Sequence, residues 1–243
     1  MVSTVKSVEV DRYNALAARW WDETGVMWPL HKLNALRVPF ICEQIERLGL
    51  AGRAGARPLS GLRVLDIGCG AGLLAESMAE RGARVVAIDP AQNNITIARA
   101  HAEQCGLEID YRVGELDDVV TDAPFDVVLN MEVVEHVANL PRFMAACCAR
   151  TRAGGLQFVA TINRTWLSLI VAKWGAEYVL NWLPRGTHEW RRFVPPARLG
   201  QLLRDGGLAP LQTTGVAVNP LNRRFSLTPS TRVNYMMVSR RDV

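Results

Sequence analysis

The stretch Val64-Leu-Asp-Ile-Gly-Cys-Gly-Ala-Gly72 decides the fold of this 243-residue chain. Arg63–Ile67 is a short apolar run that leads directly into the glycines, and Leu73–Arg81 follows with helical spacing. In open α/β sheets, ligands bind where a strand ends in such a turn, because glycines without a Cβ let the backbone approach a ligand closely. The pattern therefore predicts a ligand site at this turn.

Strand and helix signals alternate along much of the remaining chain. Alternation of this kind indicates an α/β fold with a mostly parallel sheet that is covered by helices on both faces. Two late strands have no helix between them and can therefore pair antiparallel. We expect strands at 84–88, 108–113, 125–130, 157–161, 211–218 and 234–239, and helices at 6–48, 91–104, 140–150 and 196–205.

Asp89 ends the strand that follows the glycine turn, 21 residues after Gly68. A carboxylate at that position can accept both hydroxyls of a ribose. Dinucleotide-binding proteins share this layout, but their glycine spacing is G-x-G-x-x-G, whereas this turn reads G-x-G-x-G. Asp66 directly before the turn would repel a pyrophosphate and would favour a sulfonium ligand that carries an α-amino group.

Met131–Val137, after the fourth strand, contains two acids and a histidine. If this turn is helical, Glu132, Glu135 and His136 share one face. They could then bind a divalent cation such as Mg²⁺ or Zn²⁺, or His136 could act alone as a general base on a phenol. The alternative is a helix start whose acids favour the helix dipole.

Charge and cysteine usage limit the possible partners and the compartment. The net charge of +4 permits contact with an anionic membrane surface, and no nucleic-acid-binding motif occurs. We expect no signal peptide and no membrane-spanning helix. The five cysteines form no CxxC pair, and adjacent Cys147 and Cys148 are expected to be buried and unpaired, which favours a cytoplasmic protein.

Three segments together resemble the class I methyltransferases: Leu65–Gly72, Val86–Asp89 and Phe125–Val128. The resemblance implies S-adenosylmethionine as the cofactor. It also implies a Rossmann-like fold with a mostly parallel seven-stranded sheet and an antiparallel C-terminal strand. By the same resemblance, the cofactor contacts comprise Asp66, Gly68 and Gly70 at the methionine portion, Asp89 at the ribose, Met131 at the adenosine and Glu115 near the adenine edge.

Further segments resemble the ubiquinone-biosynthesis O-methyltransferase family, over roughly residues 13–237. They are Trp20–Asp22, Leu30–Asn34 with Arg37, Gly175–Tyr178, Pro184–His188 with Phe193, and Asn234–Tyr235. The resemblance implies methylation of a polyprenyl catechol and of demethylubiquinol. It also implies a cofactor contact for Arg37, and it matches Glu132, Glu135 and His136 to the family's proposed metal ligands. Two departures are small: Ala35 and Ala71 replace a usual proline and a usual third glycine.

The segment Thr165–Leu183 is apolar, with three tryptophans and only Lys173 and Glu177 charged. Such a connection could cover the active site as a lid, or dip into a bilayer beside Arg185, Arg191 and Arg192. We therefore expect an N-terminal helical cap (1–50) and a methyltransferase domain (51–243) that contains a lid insertion (165–190). The expected location is cytoplasmic, and peripheral contact with the inner face of the membrane is a hypothesis.

Two other functions stay open at this point. The chain could methylate another small molecule, or it could be a catalytically idle methyltransferase-like scaffold in a biosynthetic complex. For the active enzyme, the family resemblance leaves open a ubiquinone-biosynthesis complex as a partner. The intact glycine turn, Asp89 and His136 argue against the idle scaffold.

Overall fold

The computed structural model describes residues 19–50, 57–119, 123–168, 190–219 and 222–243. The helices are α1 (Trp28–Arg47), α2 (Leu73–Glu80), α3 (Gln92–Gln104), α4 (Leu140–Arg150) and α5 (Pro196–Asp205). The strands are β1 (Arg63–Ile67), β2 (Arg84–Asp89), β3 (Asp110–Val113), β4 (Phe125–Met131), β5 (Thr151–Ile162), β6 (Leu208–Asn219), β7 (Arg224–Thr228) and β8 (Asn234–Arg241). Short helical turns lie at Leu116–Asp118, Trp166–Ser168 and Trp190–Arg192.

One sheet contains all eight strands, in the order β3-β2-β1-β4-β5-β8-β6-β7. β1 to β5 are parallel, and β8 inserts antiparallel between β5 and β6. The predicted α/β class, the parallel body and the antiparallel C-terminal pair are confirmed. Because β1 lies between β2 and β4, the strand order reverses there, and a crevice opens at the carboxyl ends of these strands.

The sheet has one strand more than the seven predicted. β7 pairs antiparallel with β6 at the edge, from Gly215 opposite Thr228 to Asn219 opposite Arg224. Its sequence, RFSLT, alternates polar and apolar residues, but the strand has only five residues and none of them is fully buried. The predicted strands did not include one at 224–228, and the prediction was wrong there.

The predicted N-terminal helix begins later than expected within the described residues. Residues 1–18 lie outside the described part, 19–27 form turns, and α1 starts at Trp28. The Asp22 side chain accepts hydrogen bonds from the backbone nitrogens of Thr24 and Gly25, which closes a turn and competes with helix formation. Ile41 and Ile45 of α1 are fully buried in a cluster shared with the sheet.

The opposite face of the sheet is covered by α4 and α5, which bury a second apolar cluster. Cys147 and Cys148 lie in that cluster as free thiols, which confirms the prediction. Among the described residues, no helix is long and apolar enough to span a bilayer.

Most of the predicted lid lies outside the described residues, including Gly175–Tyr178 and Pro184–His188. The two described ends of this segment meet. Trp166 and Trp190 stack with ring centroids 5.4 Å apart, and the Trp190 Nε1 donates a hydrogen bond to the Thr165 carbonyl.

Candidate active site

The glycine turn follows β1 directly and contains three residues in the left-handed region of the backbone map. Gly68, Gly70 and Gly72 have φ angles of 68°, 56° and 92°. A Cβ at Gly70 would overlap the ring of Trp20, so glycine is required there for space as well as for conformation. The turn is tied to β2, because the Gly68 and Cys69 amides both donate to the Ile88 carbonyl.

Asp89, at the end of β2, holds the glycine turn and the start of α3 together. Its carboxylate accepts hydrogen bonds from the backbone nitrogens of Gly70 and Ala91, both at 2.9 Å, and from the Asn94 side chain at 3.1 Å. Burial raises the pKa of Asp89, and these hydrogen bonds oppose that shift. The carboxyl group is thus fixed at the edge of the crevice.

Asp66, at the penultimate position of β1, is buried without a hydrogen-bond partner for one of its carboxylate oxygens. Its residue exposure is 2%, and its Oδ2 has no hydrogen-bond partner. Burial, and secondarily the charge of Asp89, raises the pKa of Asp66 to about 8. A buried carboxylate oxygen without a partner is energetically unfavourable, and an ammonium group of a ligand would satisfy it.

A cavity of about 190 Å³ opens above the glycine turn. Nine of the ten site residues predicted from sequence line it: Arg37, Asp66, Gly68, Gly70, Asp89, Glu115, Met131, Glu132 and His136. The structure adds an apolar wall that sequence reasoning missed, formed by Leu116, Val137 and Phe143. These residues lie on three separate segments, and no local pattern marks them as cavity-lining.

The loop after β4 is not helical, so the expected i, i+3, i+4 face does not form. Glu132 adopts a left-handed backbone with a φ of 61°, which is unfavourable for a residue with a side chain. Its amide donates to the Ala160 carbonyl at 2.9 Å, which fixes this conformation. The loop therefore presents Glu132, Glu135 and His136 in different environments.

Glu132 forms an ion pair with Arg37, 95 positions earlier in the chain. The Arg37 side chain is only 8% exposed and the Glu132 side chain 25% exposed. The Nε of Arg37 is buried without a hydrogen-bond partner, and Arg37 is one of the residues that line the cavity. The pair links α1 to the loop that follows β4.

Glu135 does not line the cavity but lies buried behind it. Its Oε2 accepts a hydrogen bond of 2.8 Å from the Thr161 hydroxyl. Burial, together with the nearby charge of Glu132, raises the pKa of Glu135 to about 7. Tyr235, from a segment identified by the family resemblance, is buried nearby, and its hydroxyl donates to the Val194 carbonyl.

The two tryptophans before α1 cover the glycine turn. Trp20 packs on Gly70, and the Trp21 Nε1 donates to the Ala71 carbonyl at 3.1 Å. The Trp20 carbonyl contacts the His31 Nε2 at 2.8 Å, and the Asn34 amide donates to the Leu73 carbonyl. Only the family resemblance drew attention to Trp20–Asp22 and Leu30–Asn34 in the sequence. Their contacts connect the residues before α1, and the first turns of α1, to the glycine turn and to α2.

Comparison with known proteins identifies close relatives along the whole chain. A family model described as "Methyltransferase domain" matches residues 34–213. A ubiquinone biosynthesis O-methyltransferase from Methylobacterium sp. (strain 4-46) is 47% identical over 98% of this chain and 96% of its own length. A protein of the same name from Agrobacterium fabrum (strain C58 / ATCC 33970) is also 47% identical, over 98% of this chain and 96% of its own length.

Solved structures share the fold at low sequence identity. The magnesium protoporphyrin IX methyltransferase from Synechocystis PCC 6803 with bound S-adenosylhomocysteine has a TM-score of 0.69 at 17% identity, covering 97% of this chain and 99% of that one. A Burkholderia thailandensis 1,6-didemethyltoxoflavin-N1-methyltransferase has a TM-score of 0.62 at 15% identity, covering 100% and 93%. These likenesses confirm the class I methyltransferase fold.

Proposed function

Because the chain belongs to the ubiquinone biosynthesis O-methyltransferase family, we propose that it methylates the hydroxyl groups of a polyprenyl catechol and of demethylubiquinol. The methyl donor is S-adenosylmethionine, whose sulfonium supplies an already activated methyl group. The observation that carries this function is the cavity that joins the Asp66 carboxylate, the glycine turn and Asp89.

The residues around the cavity suit the different parts of the cofactor. The unpaired Asp66 Oδ2 would bind the α-amino group, and the Gly68 and Gly70 backbone would contact the methionine portion. Asp89 would bind the ribose hydroxyls, and Met131 would pack on the adenosine. The unpartnered Arg37 Nε would bind the cofactor carboxylate, for which a guanidinium is well shaped.

His136 lines the same cavity and is proposed as the general base for the acceptor hydroxyl. When the phenol oxygen receives the methyl group, the sulfonium sulfur would leave as a neutral thioether. The imidazole would take the phenol proton and become positively charged. The Glu135 carboxylate favours that charge, just as the charge of His136 opposes the rise in the pKa of Glu135. Positioning of the two reactants in one cavity would supply much of the rate.

A divalent cation such as Mg²⁺ on Glu132, Glu135 and His136 is the alternative form of this proposal. Within the described residues, the ligand atoms of these three side chains do not all lie within 4.8 Å of one another. One carboxylate oxygen of Glu132 is paired with Arg37, and one carboxylate oxygen of Glu135 accepts a hydrogen bond from Thr161. This arrangement does not fit a three-ligand site, so no step is assigned to a cation.

The prenyl tail of the proposed substrates suggests contact with a membrane surface. Trp166 and Leu167, at the start of the predicted lid, are 72% and 42% exposed. We propose that this segment contacts anionic lipid together with Arg191 and Arg192. Co-sedimentation with anionic and neutral vesicles tests this. Equal recovery of the protein with anionic and with neutral vesicles would refute the proposal if recovery is also unchanged in Trp166→Ser and in a variant that lacks 169–189.

A methyl-transfer assay tests the function. Purified protein, labelled S-adenosylmethionine and a short-chain polyprenyl catechol should give a labelled methyl ether. Absence of transfer to this catechol and to the matching demethylubiquinol would overturn the acceptor assignment. Parallel reactions with EDTA, with and without added Mg²⁺, separate the metal-free mechanism from the metal-assisted one. Calorimetry with S-adenosylhomocysteine tests the idle scaffold separately, because a scaffold has no need to bind the cofactor.

A further inference from the structure

Three potential metal ligands converge on the far side of the glycine turn. Glu76 of α2 contacts the Nδ1 of His101 with both carboxylate oxygens, at 2.8 Å and 3.0 Å. Cys105, directly after α3, places its Sγ 3.7 Å from the same nitrogen. One ligand atom from each of Glu76, His101 and Cys105 lies within 4.8 Å of the other two, and these three residues form such a group within the part of the chain that the structure describes. None of the three residues lines the active-site cavity.

Two of the three separations among the ligand atoms approach those of a tetrahedral metal site. With metal bonds of about 2.0 Å to nitrogen and oxygen and about 2.3 Å to sulfur, tetrahedral angles separate nitrogen from oxygen by about 3.3 Å and nitrogen from sulfur by about 3.5 Å. The observed separations of 2.8–3.0 Å and 3.7 Å differ from these by a few tenths of an ångström. The third separation, from the Glu76 oxygen to the Cys105 sulfur, is within 4.8 Å, so the ligands are close enough to meet one ion after side-chain adjustment.

Two further features hold the ligands in place. His101 and Cys105 are four residues apart, so they share one side of α3 at its carboxyl end. The Trp21 ring stacks on the His101 ring, with centroids 3.4 Å apart and planes inclined by 6°. The Glu76 side chain is only 5% exposed, whereas Cys105 is exposed. An ion could therefore enter from the solvent side and meet a buried carboxylate.

We propose that Glu76, His101 and Cys105 bind a divalent transition-metal ion of the zinc type, with water as the fourth ligand. Thiolate, imidazole and carboxylate are each ligands of Zn²⁺ in proteins, whereas Mg²⁺ and Ca²⁺ prefer oxygen ligands alone. Binding displaces the thiol proton of Cys105 and the proton shared between Glu76 and His101. The ion joins α2 to α3 behind the glycine turn, to which Trp21 is also hydrogen-bonded.

Co²⁺, a spectroscopic substitute for Zn²⁺, tests the proposal. One equivalent added to the full-length protein should give a sulfur-to-cobalt charge-transfer band, and Zn²⁺ should displace the cobalt and abolish the band. Cys105→Ala should eliminate the band, and Cys42→Ala, which removes a half-buried cysteine outside the cluster, should keep it. Absence of the band in the unmodified protein, or its persistence in Cys105→Ala, would overturn the proposal.

Zn²⁺ titration of His101→Gln distinguishes a three-ligand site from adventitious binding to an exposed thiol. Loss of one ligand should weaken Zn²⁺ binding at least about tenfold, since even outer-shell changes have effects of that size. The same titration of Glu103→Gln, an exposed acid on α3, should match the unmodified protein. Equal affinity in His101→Gln and the unmodified protein would reject the site. Because the readout is metal binding and needs no substrate, its outcome is independent of the methyl-transfer assay.

Discussion

Arg37 and Glu132 form an ion pair that joins α1 to the loop after β4 inside the candidate cofactor site. Both side chains line the cavity, and Glu132 is held there in a left-handed backbone conformation. Non-glycine residues in this conformation concentrate at functional sites, where the surrounding structure stabilises them. The pair therefore combines a structural link with the polar surface that faces the ligand.

We expect this pair to contribute measurably to stability. Breaking it with Arg37→Met or Glu132→Gln should lower the free energy of unfolding by roughly 3 kcal/mol, because a poorly solvated charge loses its partner. Urea denaturation of both single variants and of the double variant gives the coupling energy. The exposed Asp110–Arg112 pair is the matched control and should contribute less than about 1 kcal/mol. Equal coupling energies in the two cycles would contradict the buried-pair interpretation.

Asp66→Asn should weaken cofactor binding while it stabilises the ligand-free protein. The amide keeps the shape of the side chain but cannot supply the negative charge that an α-ammonium group requires. Loss of a charged hydrogen bond worth about 1.5–3 kcal/mol predicts a roughly 10- to 150-fold higher Kd for S-adenosylhomocysteine. Calorimetry measures this, with exposed Asp110→Asn as the control; an unchanged Kd would exclude Asp66 from the binding site.

The same carboxyl group predicts a dependence of stability on pH. Its pKa of about 8 in the folded protein lies above the unfolded value of about 4. Between about pH 4 and pH 8 the native state therefore holds more protons than the unfolded state. The contribution of Asp66 to the free energy of unfolding is complete below about pH 4 and is lost as the pH rises through about 8. The Tm of the ligand-free protein should fall more steeply over this range than the Tm of Asp66→Asn. Parallel Tm profiles would contradict the raised pKa.

Gly70→Ala should disrupt the cofactor site more than its backbone strain alone explains. Both Gly70 and Gly106 have a positive φ, so alanine at either position costs about 1–2 kcal/mol. The new Cβ meets the Trp20 ring at Gly70 but meets nothing within 4 Å at Gly106. We therefore expect a lower Tm for Gly70→Ala than for Gly106→Ala, and cofactor affinity reduced roughly tenfold or more, about 1.4 kcal/mol. Similar Tm and affinity in the two variants would show that Trp20 can move aside freely.

His136→Gln should lower kcat by about 10²- to 10⁴-fold if the imidazole acts as the general base. Binding of S-adenosylhomocysteine should stay within about twofold, because Asp66, Asp89 and the glycine turn are untouched. Single-turnover kinetics across a range of pH separates this role from a structural one. The variant should lose the acidic limb of the rate profile, whereas a folding defect would lower the rate equally at every pH. Full turnover by the variant would remove the proposed role of His136.

Most of the site could be predicted because its residues follow local patterns. Asp66, Gly68 and Gly70 lie within β1 and the turn that follows it. Asp89 and Met131 end the two strands on either side of β1. Parallel pairing brings those strand ends to the same edge of the sheet, so the alternation of elements was sufficient to place them together. These residues line one cavity because they lie together at that edge.

Other relationships could not be predicted from the chain alone. The loop after β4 departs from helical geometry because its backbone is fixed by Ala160 of β5, a partner that no local pattern specifies. β7 is a five-residue edge strand, and so short an alternation of polar and apolar residues does not by itself distinguish a strand from a loop. The contact between Glu76 and His101 joins two helices, each of which has an ordinary amphipathic sequence.

The sequence by itself determined the class of fold, the cofactor turn and the family, because strand periodicity, glycine conformation and segment identity are properties of short stretches of chain. Tertiary structure alone decided that Arg37 pairs with Glu132, that Trp20 packs on Gly70, and that Glu135 is buried behind the cavity. These contacts depend on packing between residues 26–95 positions apart, and the spacing of residues along a chain carries no direct information about such distances.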